Sequence, residues 1–495
     1  MKLFYGEKME FEADIGLEIH ARITSAKTKL FSSSAIGFGA EQNSQINVVD
    51  LALPGTLPVL NEFCLGQAIL TGLSMGATIN RRTVFERKNY FYPDLPQGYQ
   101  ISQNEDPIVL GGFLNIKLED GSEKKINLHR IHVEQDTGKA MHDPERGVSF
   151  IDFNRAGAPL MEIVTMPEIK SPEEAGAFIK KLRTILRYIG TCDGNMDEGH
   201  FRVDVNISVR VPGEKLGTRA EVKNLNSVRF VQQAIVYEIK RQISLIESGK
   251  NVDQETRLFD EKSCSTRVMR DKENAHDYRY FPDPDLYPII VSEEYIMDIA
   301  KGMQELPEQK AARFVKEFEI TEYDAAVLTE DKDFADFFEA AVIELPSRSE
   351  KSCKLIANWI IGELFGHLNR YGLRISESKI SPENIARLVC EILSGNISGA
   401  AAKEVFAGMW ETGDSPGSVI KRKGLAQVSS REELSSMIDR VLAEEPEQVQ
   451  KFLSGKEKIF GYLVGQAMKA SKGKGNPHVI QEIMKEKLGK MRSAL

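Results

Sequence analysis

The segment Asp14-Ile-Gly-Leu-Glu-Ile-His-Ala-Arg22 decides how the first part of the chain is read. Its apolar positions, Ile15, Leu17, Ile19 and Ala21, alternate with polar ones. A period of two is the signature of a β-strand, and it puts Glu18 and His20 on the same face. Residues 201–211 (FRVDVNISVRV) repeat the pattern, with Asp204 and Asn206 in the same relation. Working outward, 129–135, 149–154 and 160–165 read as further strands. Over the first ~290 residues short apolar runs alternate with turn signals. Two helices are inserted. Ser171-Pro172-Glu173-Glu174 is a capping box with proline at the first helical position, closed by Gly190, and about 226–249 is apolar at helical spacing and ends in glycine.

Beyond about residue 292 the pattern turns almost wholly helical, with starts near Pro307, Lys351 and Ser381. Gly413-Asp-Ser-Pro-Gly417 reads as a linker. The expected organisation is an α+β domain over 1–291, a helical domain over 292–412 and a small helical tail domain over 413–495. In the tail, 457–470 sets Ile459, Phe460, Leu463, Val464, Ala467 and Met468 on one helical face, and Gly461 and Gly465 are expected to admit a neighbouring helix closely.

The chain has 495 residues, 41% hydrophobic and 28% charged, which excludes a disordered chain. No stretch approaches about 18 consecutive apolar residues, so no membrane partner is expected. Without an apolar N-terminal segment the expected location is the cytoplasm. The five cysteines form no C-x-x-C pair. The net charge of −9 conceals an asymmetry. Residues 401–495 hold 16 Lys/Arg against 12 Asp/Glu, a balance of +4 that leaves −13 for residues 1–400. Lysines 469, 472, 474, 485, 487 and 490, with Arg492, surround Gly475-Asn-Pro477 and form a basic surface suited to phosphate backbone.

Two motif matches mislead. Gly72-Leu-Ser74-Met-Gly76 has the spacing of a nucleophile elbow, but a helix already under way precedes the serine. There is no Walker A loop, and Gly37-Phe-Gly39 lacks the third glycine of a dinucleotide fingerprint. The informative pattern is a carboxylate set inside an apolar strand: Glu18, Glu134, Glu162 and Asp204. A sheet with one wet face would put such acids outside by default. Several converging on one face instead point to a divalent cation, and carboxylates without sulfur ligands favour Mg²⁺ or Mn²⁺. Residues 86–94 (ERKNYFYPD) and 267–283 are dense in arginine, lysine and aromatic residues, a composition that grips phosphate. Acids for a metal and cations for phosphate, without a phosphate loop, fit an ATP-dependent kinase or ligase.

These segments, together with Leu53 to Asn61, Asp152 to Gly157, Arg219 to Ser227, Ile356 to Trp359 and Gly461 to Lys469, resemble the B subunit of the aspartyl/glutamyl-tRNA(Asn/Gln) amidotransferase along essentially the whole chain. The resemblance implies a cradle-shaped α+β domain like the catalytic domain of glutamine synthetase and guanidino kinases, then a helical domain and a tail that holds tRNA. It implies ATP and Mg²⁺ (or Mn²⁺), a heterotrimer with a glutaminase A subunit and a small C subunit, and misacylated tRNA as substrate. ATP activates the aminoacyl side-chain carboxylate and ammonia displaces phosphate. By matching position, Glu18, His20, Glu134, Glu162, Asp204 and Glu221 would be metal ligands, the first four of them catalytic. Lys88, Arg155, Lys223, Arg270 and Arg279 would contact phosphate. His200, beside Glu198, is a further candidate. Some members of the family carry a structural zinc on cysteines; here the matching positions are Ser32, Ser34, Asn47 and Asp50, so structural zinc is not expected. Two other readings are a non-catalytic tRNA-binding scaffold and a free-standing kinase of the guanidino type.

Overall fold

In a computed structural model, residues 2–271, 277–426, 431–471 and 475–493 are described; the side chains of Arg270 and Asp271 lie outside the description, as do His276, Lys472 and Lys474. The chain forms two compact units, Met1–Leu306 and Pro307–Leu495. The first is mixed α+β and the second helical.

Unit one is built on one large sheet, eleven strands among the described residues. Its relevant strands are β1 (Glu10–Arg22), β2 (Glu86–Asn89), β3 (Tyr99–Ser102), β4 (Glu123–Gln135), β5 (Pro159–Thr165), β6 (Phe201–Arg210), β7 (Ala220–Lys223), β8 (Glu255–Asp260), β9 (Ser265–Asp271) and β10 (Phe281–Pro282). In space the large sheet runs β9-β8-β7-β6-β1-β5-β4 and continues through two short strands, while β10, β2 and β3 form a separate three-stranded sheet. Pairing is antiparallel except between β7 and β8. The alternation in β1 does what its period demands. Ile15, Leu17, Ile19 and Ala21 are fully buried on one face. Three helices cover that face: α1 (Glu62–Ser74), α2 (Pro172–Tyr188) and α3 (Val228–Glu247). Ile69, Phe178, Leu182 and Ile235 join the strand residues in a single apolar cluster. Each such side chain contributes roughly 1.5–3 kcal/mol on burial.

The helix signals hold in detail. Ser171 accepts from the Glu174 amide with Pro172 at the first position, and Gly190 takes φ +69°. Ser227 caps α3 in the same way. Ser74 is the last residue of α1 and donates to the Thr71 carbonyl, so it is no nucleophile elbow. A fourth helix, α4 (Glu293–Lys301), begins the helical stretch of the sequence but belongs to unit one, where the Tyr295 hydroxyl approaches the Glu62 carbonyl of α1.

Unit two runs through Pro307–Phe318, Glu322–Thr329, Lys332–Ile343, Glu350–Asn358, Pro382–Leu393 and Gly399–Thr412 to Pro416–Lys423. Gly413-Asp-Ser-Pro-Gly417 is a tight helix-to-helix turn rather than a linker. Gly413 adopts φ +78°, Ser415 caps the next helix, and Val419 packs so closely on Gly408 that a Cβ there would meet it at 2.7 Å. The last four helices, Arg431–Glu444, Pro446–Leu453, Ile459–Ala470 and Pro477–Ser493, enclose their own core of Leu434, Ile438, Leu463, Ala467, Ile483 and Met484. The expectation for Gly461 and Gly465 fails: a Cβ at either would meet open space, so among the described residues no helix approaches there. No described helix is long and apolar enough to cross a membrane.

Candidate functional site

The sheet face opposite the helices carries the polar residues of β1, β4, β5, β6 and β7. Register brings them together. Glu162 pairs with His20 on one side and His132 on the other, Glu18 faces Asp204, Arg202 faces His20, and Asn206 faces Glu221. Because β1 lies between β5 and β6, its two polar residues serve two clusters.

The first cluster is built from His20, His132, Glu134 and Glu162. His20 Nε2 lies 3.5 Å from Glu162 Oε2 and 3.8 Å from Glu134 Oε1. His132 Nε2 lies 3.3 Å from Glu162 and 3.7 Å from Glu134. Ligand atoms of His20, Glu134 and Glu162 all fall within 4.8 Å of one another, the one such group of three among the described residues. Burial works against ionisation of Glu162, but the charge and hydrogen bond of His132, and then those of His20, hold its carboxyl well below the ordinary range. Burial also disfavours the His132 imidazolium, yet the two carboxylates raise it to about 9, Glu162 acting most strongly. His20 moves upward for the same reasons. The carboxylates therefore outweigh desolvation and draw positive charge into the cluster.

Lys88 and a chain of aromatic rings border this cluster. Burial opposes the Lys88 ammonium, but Glu134 and then Tyr280 and Glu162 raise its pKa. Its Nζ stands 5.0 Å over the Tyr278 ring and 5.9 Å from that of Tyr90. The two basic-aromatic segments of the sequence are neighbours here. β10 pairs with β2, and the Asn89 amide donates to the Tyr278 and Arg279 carbonyls. Ser102 on β3 donates to Glu134 at 3.1 Å.

The second cluster already holds a positive charge of its own. Lys223 Nζ sits 2.6 Å from Asp204 and 2.9 Å from Glu221, and Thr256 donates to Glu221 at 2.9 Å. Burial opposes the Lys223 charge; Asp204 and then Glu221 overcome it and raise its pKa. Glu18 lies between the clusters and accepts from Asn206 at 2.7 Å. Burial first, then the negative charges of Glu162 and Glu221, push its carboxyl upward.

Thus Glu18, His20, Glu134, Glu162, Asp204, Glu221 and Lys223 share one face, and Lys88 of the neighbouring small sheet borders it. Arg155 lies beside it, donating to the Thr137 and Gly138 carbonyls. Arg279 does not join: its side chain is 83% exposed and its nearest ion partner is Asp277 at 3.9 Å. The side chain of Arg270 is outside the described residues. His200 is taken up by Asp193 at 2.9 Å and Glu198 at 3.7 Å. The residue that sequence reading missed is His132. Its signal was present, since Ile131-His132-Val133-Glu134 repeats the one-residue spacing of Glu18-Ile19-His20. At the positions matching the zinc cysteines, the Ser32 and Ser34 hydroxyls both donate to Asp50, and Lys29 Nζ lies 3.3 Å from the same carboxylate.

A helix-backed sheet with a histidine–carboxylate cluster on its open face, flanked by lysine and arginine, defines a class: an α+β unit with a charged polar site on one sheet face. Residues 13–297 match the GatB/GatE catalytic domain family and residues 336–488 the GatB domain. Over 488 residues the chain is 52% identical to the B subunit of the aspartyl/glutamyl-tRNA(Asn/Gln) amidotransferase of Rickettsia rickettsii (strain Iowa), covering 99% of this chain and all of that one. The same-named subunits of Pelagibacter ubique (51% identical, 97% of this chain and 96% of that one) and Granulibacter bethesdensis (52%, 97% and 98%) are similar. The chain belongs to the GatB family of amidotransferase subunits.

Proposed function

We propose that this chain, as the B subunit of a tRNA-dependent amidotransferase, phosphorylates the side-chain carboxylate of misacylated Glu-tRNA(Gln) or Asp-tRNA(Asn) on the polar face of its sheet. A carboxylate resists amination because oxide is a poor leaving group. A side-chain oxygen therefore attacks the γ-phosphorus of ATP and ADP departs. Ammonia from a glutaminase partner then attacks the acyl carbon, inorganic phosphate leaves with the electron pair of the broken C–O bond, and the amide remains. The observation that carries this reading is the convergence of His20, Glu134 and Glu162 from three strands.

One imidazole and two carboxylates, without thiolate, suit Mg²⁺ or Mn²⁺. Their pull on protons in the first cluster is the pull a cation would satisfy. His20, Glu134 and Glu162 would hold such an ion, which supplies charge against phosphate oxygens when bound. Glu18, Asp204 and Glu221 would take a second ion only once Lys223 leaves Asp204 and Glu221. Lys88 directs a second positive charge at the same face, and Tyr90, Tyr278 and Tyr280 keep water from its ammonium.

We assign the first unit, to Leu306 rather than the expected 291, as the cradle, of the glutamine synthetase/guanidino kinase kind, and the last four helices, from Arg431 rather than the expected 413, as the tRNA-binding tail, in a heterotrimer with A and C subunits. The separate core of the last four helices and the exposed Lys485, Lys490 and Arg492 support the tail's role. The test is Glu162→Gln in the purified complex. tRNA affinity is expected to be unchanged while tRNA-dependent ATP hydrolysis falls by at least about 100-fold. Hydrolysis at the wild-type rate would reduce this chain to a scaffold.

A further inference from the structure

Beyond the metal cluster, the same face gathers three arginines around one carboxylate. Asp136, one residue past the end of β4, is 4% exposed. Arg202 Nη2 lies 3.2 Å from both of its oxygens, Arg155 Nε lies 3.6 Å away and Arg22 Nη2 lies 3.7 Å away. One carboxylate cannot balance three guanidinium groups, and Arg22 is itself only 8% exposed. The donors are unevenly spent. Arg155 is anchored by two backbone carbonyls, whereas the Nε atoms of Arg22 and Arg202 are buried without a hydrogen-bond partner. A buried, unsatisfied guanidinium N–H is costly, and three guanidinium groups sharing one carboxylate leave positive charge at this place for an anion from outside the chain.

Position identifies the acceptor. Arg202 is the residue directly opposite His20 on β6, and Arg22 follows His20 by two on β1, so both share the face of the metal cluster. Forked guanidinium groups grip phosphate and carboxylate oxygens alike, and beside the cluster proposed to hold the cation the anion that arrives is the phosphoryl group.

We propose that Arg22 and Arg202, held apart and oriented by Asp136, form the subsite for the phosphoryl group in transfer. They would carry it from ATP to the acyl phosphate and stabilise phosphate as ammonia displaces it. Arg22 and Arg202 touch the phosphoryl oxygens; Asp136 is a positioning residue that acts through them. This rests on the kinase reading above, and it adds residues that neither family resemblance nor sequence pattern had singled out.

The test uses the whole complex with Arg202→Gln, Arg202→Lys, Arg22→Gln and Asp136→Asn, probed with inorganic phosphate as product inhibitor. In Arg202→Gln the phosphate inhibition constant is expected to rise at least tenfold and kcat for tRNA-dependent hydrolysis to fall at least tenfold, with the tRNA Kd unchanged. Lysine at 202 restores less than half of the lost phosphate affinity, because a point charge lacks the fork. Asp136→Asn raises the KM for ATP more than it lowers kcat. Arg22→Gln reports the same phosphate shift and stands in if Arg202→Gln does not fold. An unchanged phosphate constant in both arginine variants overturns the proposal, and a weakened tRNA Kd reassigns the cluster to a phosphodiester of the tRNA. If the wild-type complex hydrolyses no ATP with tRNA, it is the kinase reading that fails; if it does and only these variants behave as wild type, this subsite alone is wrong.

Discussion

The two halves of the polar sheet face began from the same sequence motif and ended in opposite electrical states. Around β4 and β5, Glu134 and Glu162 meet two histidines, each at 3.3–3.8 Å. Around β6 and β7, Asp204 and Glu221 meet one lysine, at 2.6 and 2.9 Å. A histidine can yield its proton to an arriving cation and then become a ligand, whereas a lysine paired with two acids stays charged and occupies the place a cation would take. The first half is therefore receptive to a cation and the second is already closed by one. An acid in a strand tells little until its partner is known.

The largest expected effect sets the halves directly against each other. His20→Ala should lower tRNA-dependent ATP hydrolysis by about 100-fold or more, and Glu221→Gln by about tenfold or less, measured at saturating misacylated tRNA. Equal losses would erase the distinction. Next, His132→Gln should weaken Mn²⁺ binding by about tenfold in a titration followed by electron paramagnetic resonance, because an outer partner of both carboxylates is lost. Unaltered affinity would make His132 a packing residue. Lys223→Met should then lower the stability of the chelated protein by about 1–2 kcal/mol, a value kept small because the lysine is partly exposed. Added Mg²⁺ should recover part of that loss in a thermal melt, and no recovery would mean that the second half is not a latent cation site. Smallest is Ser102→Ala, which removes one hydrogen bond to Glu134 and should cost about threefold in Mn²⁺ affinity.

Much of this was legible from residues alone. Period-two alternation predicted the strands that hold Glu18, His20, Glu162 and Asp204, the capping box at Ser171 gave the start of α2, and apolar spacing gave α3. What stayed hidden was adjacency. Nothing local to Glu221-Val222-Lys223 says that this lysine will reach across to Asp204, and nothing near Asp136 says that arginines from positions 22, 155 and 202 will surround it. The first depends on β6 pairing with β7, and the second on β1 lying between β5 and β6. His132 is different, since its spacing from Glu134 was in plain sight. Gly461 and Gly465 mark the reverse failure: small residues permit close approach but do not compel it.

The central place of β1 also governs when this protein can become active. His20 is synthesised well before its partner strands, which end at residues 165 and 210. Translation at about 5–20 residues per second separates β1 from β6 by roughly 10–40 s. Until residue 165 is made the strand has both of these edges unfilled, and one stays open until residue 210. Folding of the first unit is thus obligatorily late and non-local, which places its greatest exposure to misassembly on the ribosome rather than after release.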